Sequence, residues 1–155
     1  MLLDAYENPV STTSISACDA YNRGVHRFLG AEPSVEESFQ LAIDEDPEFA
    51  LAYIGLAREM QIRGRPDDVR TSLGNARELN ENLSEREKSH IHVSAFLLEG
   101  KSAQARAAVY EHVTHWPKDV LIAQMCTSVF GLIGFSGLPG REAEQLAFVS
   151  GLASH

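Results

Sequence analysis

The sequence predicts an all-α fold, an αα-hairpin superhelix of about three and a half repeats forming a single helical domain over residues 1–155. Three observations predict it. Gly30, Gly64, Gly100 and Gly134 end helix-like runs and are spaced by 34, 36 and 34 residues. Pro47 and Pro117 lie 70 apart, which matches two of those steps together. Apolar residues recur at helical spacing, and little alternates with period two, so no strands are expected. The repeats run over about 16–49, 50–85 and 86–119, with a partial unit over 120–155.

The first period reads as a helix from Thr13 to Gly30 and a second from Ser34 to Glu45. Ser34-Val35-Glu36-Glu37 has the form of a capping box, in which the serine hydroxyl accepts a free backbone N–H and the glutamate reaches back. Phe39, Ala42 and Ile43 then share one face. Asp46-Pro47 predicts the next helix start, with aspartate as N-cap and proline at the first helical position. Tyr53, Leu56, Ala57 and Met60 make the apolar stripe of that helix, and Gly64 stops it. Pro66 starts another, with Asp67 and Asp68 complementing the helix dipole and Val69, Leu73 and Ala76 inward.

Asn80, Asn82 and Ser84 form the following break, and Ser84 to Glu87 is a second capping box. The third period carries Ile91, Val93, Phe96 and Leu97 before Gly100. A helix from Ser102 to His115 follows, with Ala105, Ala108, Val109 and His112 inward and Trp116-Pro117 at its end. The fourth has Ile122, Met125, Cys126, Val129, Phe130 and Ile133 on a helix before Gly134. After a Gly/Pro-rich turn comes a last helix, about Arg141 to Leu152, bearing Leu146, Val149 and Leu152.

The period resembles that of the tetratricopeptide repeat (TPR). The residues that carry the resemblance are Gly30, Phe39, Ala42 and Pro47 in the first unit, Tyr53, Leu56, Ala57, Gly64 and Ala76 in the second, and Phe96, Gly100, Ala105 and Pro117 in the third. Departures occur at His26 and Met60, where an aromatic is usual, at Val35 and Val69, where alanine is usual, and at Glu81 in place of the last proline. A narrower likeness rests on Asn8-Pro9-Val10-Ser11-Thr12, Ala20 to Val25, Glu85 to Ile91 and the Gly131–Gly137 stretch. These segments are similar to the N-terminal part of bacterial relatives of tetratricopeptide repeat protein 38, which are usually much longer. The resemblance implies architecture rather than a mechanism. It also implies a concave face lined by the first helix of each unit. The Lys/Asn/Arg carboxylate clamp of some TPR proteins is replaced here by Ala20, Gly24, Ile54, Gly55 and Arg58, so chaperone C-termini are not expected ligands.

Composition narrows the function further. Thirteen basic against 22 acidic residues give a net charge of -9, which disfavours nucleic acid and anionic membranes as partners. The longest apolar stretch, Val120 to Leu138, is interrupted by Gln124, Thr127, Ser128 and glycines, unlike a spanning helix. The first ten residues lack the basic n-region of a secretory signal. The two cysteines, Cys18 and Cys126, have no metal or redox spacing and read as small buried hydrophobes. Together these point to a reduced, cytoplasmic setting.

No catalytic constellation is legible: there is no G-x-S-x-G, and the glycine-rich Gly131–Gly137 run has no lysine or arginine for phosphate. Of the six histidines, His90 and His92 point about 200° apart on a helix. His92 and His112 fall at inward repeat positions, where they could pair, but a metal centre would need further ligands. No metal, cofactor or enzyme activity is therefore expected.

The repeat register places Arg27 and Phe28, then Leu51, Ile54, Arg58, Gln61 and Ile62, then Glu87, His90, Ser94, Leu97 and Leu98, then Leu121, Gln124 and Ser128 on the concave groove. The expected function is a non-catalytic interaction module or scaffold holding a peptide or protein segment there, with Arg27 and Arg58 selecting acidic or C-terminal groups. The alternative is a structural role by homodimerisation through the C-terminal helix, whose Leu146, Phe148, Val149 and Leu152 would need covering. An enzyme domain using His92 and His112 ranks third.

Overall fold

A computed structural model describes residues 1–127, 131–133 and 140–154. The described residues are dominated by α-helix, with one short two-stranded ribbon. The chain divides into two compact units, residues 1–92 and 93–155. None of the described helices is long and apolar enough to cross a membrane.

The first unit opens with a ribbon that the sequence pattern did not predict. Strand β1 (Leu2–Leu3) pairs antiparallel with β2 (Pro9–Val10), Leu2 opposite Val10 and Leu3 opposite Pro9. Two residues per strand are too few to show a period-two signal. The turn is closed by the Asp4 carboxylate, which accepts the backbone N–H of Tyr6 at 2.8 Å and of Asn8 at 3.0 Å.

Four helices follow: α1 (Ile15–Leu29), α2 (Val35–Glu45), α3 (Ala50–Ile62) and α4 (Pro66–Glu78). Each packs on the next, and α1 also packs on α3. Ser14 caps α1 by accepting the Ala17 N–H at 3.1 Å. The expected Ser34 capping box does not form. Ser34 is left-handed (φ 69°), whereas a capping serine needs extended backbone, and its side chain makes no cap bond. Asp46-Pro47 does not start α3 either. Asp46 instead builds a tight turn, its carboxylate accepting the Glu48 N–H (3.0 Å) and its carbonyl the Phe49 N–H (3.0 Å), so the helix begins at Ala50. Pro66 does open α4, with Asp67 and Asp68 in its first turn.

The glycine ladder is partly a ladder of helix stops. Gly64 (φ 68°) and Gly100 (φ 77°) adopt the left-handed conformation of a C-terminal cap. The accompanying hydrogen bonds run from Arg65 N to the Met60 carbonyl and from Lys101 N to the Phe96 carbonyl. After α1 the left-handed residue is Ala31 (φ 50°) rather than Gly30 (φ -86°), one position later than the ladder predicts. Gly134 lies outside the described residues.

Phe39 organises the core of this unit. Its ring is fully buried, with the Tyr21 ring centroid 5.9 Å away and Tyr21 in turn 5.0 Å from Phe49. A methyl group on Gly24 of α1 would meet the ring at 2.7 Å, and one on Gly55 of α3 would meet it at 2.4 Å. Two helix-interior glycines thus seat one aromatic from α2. Gly55→Ala gains about 1 kcal/mol of helix propensity. It overpacks a ring with no free side, at a cost of roughly 1–3 kcal/mol. The expected result is a net loss of stability in urea unfolding. Gly74→Ala in α4, where the methyl would meet open space, is expected to stabilise by up to about 1 kcal/mol.

Between α4 and the next helix, Asn80–Asn82 form one 3₁₀ turn. Helix α5 (Glu85–Leu98) then starts with a working capping box. Glu87 N donates to Ser84 Oγ at 3.3 Å, and Ser84 N donates to Glu87 Oε2 at 3.3 Å.

The second unit contains α6 (Ser102–His115), α7 (Val120–Ala123) and α8 (Arg141–Ala153). Its core is Val93, Val109, Ile122, Met125, Cys126, Ile133 and Phe148, with Leu97, Ala108, Val113, Leu132 and Leu152 packed against it. Trp116-Pro117 ends α6 as expected. Among the described residues the expected fourth-period helix is interrupted: α7 is a single turn that tightens into a 3₁₀ turn over Gln124–Cys126. Val129 and Phe130 lie outside the described residues. The described apolar residues of this segment, Ile122, Met125, Cys126 and Ile133, are buried in the core.

Candidate functional site

The residues assigned to a concave groove do not share one exposed face. Leu51, Ile54, Arg58, His90 and Ser94 are buried. Helix α3 is enclosed nearly all round, so the side of it that the repeat register turns to a partner is core. Arg27, Phe28, Leu97 and Gln124 are half-buried, whereas Gln61 and Ile62 are exposed, Ile62 at 69%. Glu87 and Leu121 are also buried, Leu98 is half-buried, and Ser128 lies outside the described residues. The two cations are engaged internally. Arg27 donates to Ser38 Oγ at 2.6 Å, and the Arg58 guanidinium stacks 4.9 Å from the Phe28 ring centroid.

The histidines part in the same way. His92 is exposed rather than inward. His112 is buried, with Nε2 3.1 Å from the Asp119 carboxylate and its ring 5.0 Å from Trp116. Among the described residues, no three or more His, Cys, Asp or Glu gather as a metal site.

A concave site does form in the first unit, where three chain junctions converge. Ser11, Thr13 and Ser14 ahead of α1 make one wall. Glu45, Asp46 and Glu48 between α2 and α3 make the second, and the end of α4 with Glu78, Leu79, Glu81, Asn82 and Leu83 makes the third. The cleft has a volume of about 660 Å³ and is open to solvent. Its lining holds five carboxylates and no lysine, arginine or histidine. Two of them are oriented by hydroxyls: Ser16 donates to Glu45 at 2.6 Å and Thr12 to Asp46 at 2.5 Å. Glu48, Glu78 and Glu81 are exposed.

Sequence reasoning read Asp46 as an N-cap and singled out none of these acids for a site. The register held the signal, since Glu45 and Glu78 are 33 apart, as are Glu48 and Glu81. A smaller groove of about 280 Å³ lies over α2, α3 and α4, with Ile43, Leu56 and Met60 in its lining. Its one cation, Arg65, is already paired with Glu36 (3.1 Å) and Asp68 (2.6 Å).

Both cysteines are buried thiols, as expected. In the second unit, burial pushes the Cys126 thiol up to about 12, with Glu144 adding to the effect. Burial also raises the Tyr110 phenol to about 12, reinforced by its 2.9 Å hydrogen bond to Glu144. The unfolded chain, with ordinary values of 9.0 and 10.0, releases these protons first as pH rises. The stability they contribute is therefore intact below about pH 9 and lost progressively toward pH 12. The urea midpoint reported by Trp116 is expected to fall between pH 8 and about 10.5, with a shallower fall in Cys126→Ala and Tyr110→Phe.

Compared with known proteins, the chain matches no family model, no curated protein and no solved structure.

Proposed function

We propose that the chain is a non-catalytic protein-interaction module of the helical-repeat type, tetratricopeptide-like in its hairpin period, and that the first-unit cleft holds a cationic segment of a partner protein. The observation that carries this reading is the convergence of five carboxylates, with no cation among them, around one open cleft. The choice of a cationic ligand replaces the expectation of an acidic one, because Arg27 and Arg58 are committed within the unit. Successive packing of α1 on α2, α2 on α3 and α3 on α4 supplies the scaffold, in the nearest-neighbour manner of helical repeats.

The test is fluorescence anisotropy with a labelled alternating lysine–alanine decapeptide. Binding is expected to weaken at least about tenfold in a Glu48→Lys, Glu78→Lys, Glu81→Lys triple variant, and to weaken with salt. A matched triple, Asp19→Lys, Glu37→Lys, Glu111→Lys, makes the same change in net charge away from the cleft and should retain most of the affinity. Equal loss in both triples would reduce the effect to overall charge and overturn the reading.

Self-association through α8 has less support. Phe148 is buried against Tyr110, ring centroids 5.2 Å apart, and Leu152 packs on the core. That leaves Leu146 (69% exposed) and Val149 (39%) as the large apolar residues of this helix open to a partner. Two side chains fall far short of the roughly 1,200 Å² that a stable interface buries.

A further inference from the structure

The arm that carries β1 and β2 draws hydrogen bonds from two helices as well as from its own ladder. With two paired residues per strand, its ladder is too short to stand alone. What fixes it is a set of side chains on α1 and α5 that bind its main chain. Cys18 Sγ donates to the Leu3 carbonyl at 3.4 Å, and Asn22 Oδ1 accepts the Ala5 N–H at 3.0 Å. Arg86 donates to the Pro9 carbonyl at 2.9 Å, and Glu87 Oε1 accepts the Ser11 N–H at 2.8 Å.

Arg86 and Glu87 are themselves almost fully buried, Glu87 at 1% exposure. Glu87 is also fixed by the capping box, where its other oxygen accepts from Ser84. These groups are pre-positioned by the helices and read amide groups rather than side-chain identity. Hydrogen bonds to main-chain groups, with a pocket for an occasional side chain, are how folded domains hold peptide segments, and the segment held here is a hairpin. The side chains of the arm that are buried are Asn8 and Val10.

We propose that α1 and the first turn of α5 form a peptide seat, occupied in cis by residues 3–11 and able to take the same arm from a second copy of this chain. Exchange of an identical element between copies leaves every one of these hydrogen bonds intact, so its cost is the loss of the tether rather than of contacts. The tether gives the resident arm an effective concentration on the order of millimolar. A free arm must therefore reach that range to compete. The inference concerns main-chain recognition by Cys18, Asn22, Arg86 and Glu87, none of which lines the acidic cleft; Ser11 is the residue the arm and the cleft share.

The test uses the 155-residue chain, labelled with ¹⁵N, and an unlabelled peptide of residues 1–12. As peptide is added to several millimolar, the Ala5 and Ser11 amide resonances of the chain should move to free-chain positions while those of α3 stay in place. A second peptide, N-methylated at Ala5 and Ser11, lacks the two N–H groups that Asn22 and Glu87 accept. It should displace the arm roughly tenfold less well, or worse. The proposal is overturned if the arm resonances do not move with the unmodified peptide, or if the N-methylated peptide displaces the arm equally well.

Discussion

Replacing Phe39 by alanine is expected to destabilise the first unit by about 3–5 kcal/mol, the range for removing a fully buried aromatic. The side chain has no exposed surface and sits between backbone that comes close only because Gly24 and Gly55 lack side chains. Those helices cannot collapse into the gap without moving α2, which both flank, so the cavity term should be near its upper end. Small domains are stable by about 5–15 kcal/mol, so the loss is a large share of the total. Urea unfolding followed by far-UV circular dichroism measures it. A loss under about 1 kcal/mol would mean that Phe39 is not the element that joins α1, α2 and α3. Phe39→Leu, which keeps much of the volume, should fall well short of the alanine effect.

Asp119→Ala is expected to cost the second unit about 2–4 kcal/mol. The His112 ring and the Asp119 carboxylate are both buried and 3.1 Å apart. Removing one partner of a buried pair leaves the other desolvated without that contact, which is costlier than the pair is worth. Asp119→Asn keeps an oxygen at the same place and should lose less than half as much. Trp116, the only tryptophan of the chain, lies 5.0 Å from His112 and so reports the unfolding directly by fluorescence. Equal midpoints for the aspartate, asparagine and alanine chains would show that the contact does not contribute. The pair also explains why His112 is inward: a carboxylate seven residues on supplies a partner for its ring.

Helices and their stops were the most legible features, because each is written in local chemistry. Pro66 with two following aspartates, the Ser84–Glu87 box, and Gly64 and Gly100 all act where the sequence places them. The failures have equally local causes. Ser34 and Ala31 take left-handed backbone, which no serine or alanine announces, so the cap and the first step of the glycine ladder are displaced. Asp46 serves its own turn and Thr12 instead of a helix end.

The site was less legible than the fold. A first-helix register identifies which side of α3 faces along the repeat, but not that this side is enclosed, and Leu51, Ile54 and Arg58 became core. The carboxylates of the cleft lie at helix ends, at Glu45, Asp46 and Glu48 and at Glu78 and Glu81, where tertiary packing alone decides that two junctions face each other. Two of the four segments singled out by resemblance, Asn8 to Thr12 and Glu85 to Ile91, proved to be neighbours, joined by Arg86–Pro9 and Glu87–Ser11. Nothing in their separation along the chain, some 76 residues, indicates that contact.

The most direct test of the cleft assignment is a map of where a cationic peptide touches the chain. Amide resonances of the ¹⁵N-labelled protein should be followed as the lysine–alanine decapeptide is added. Shifts concentrated at 11–14, 45–48 and 78–83, with α6 and α8 unmoved, are the result expected. Shifts scattered over acids throughout both units, or gathered on any other face, would contradict the cleft as the binding site.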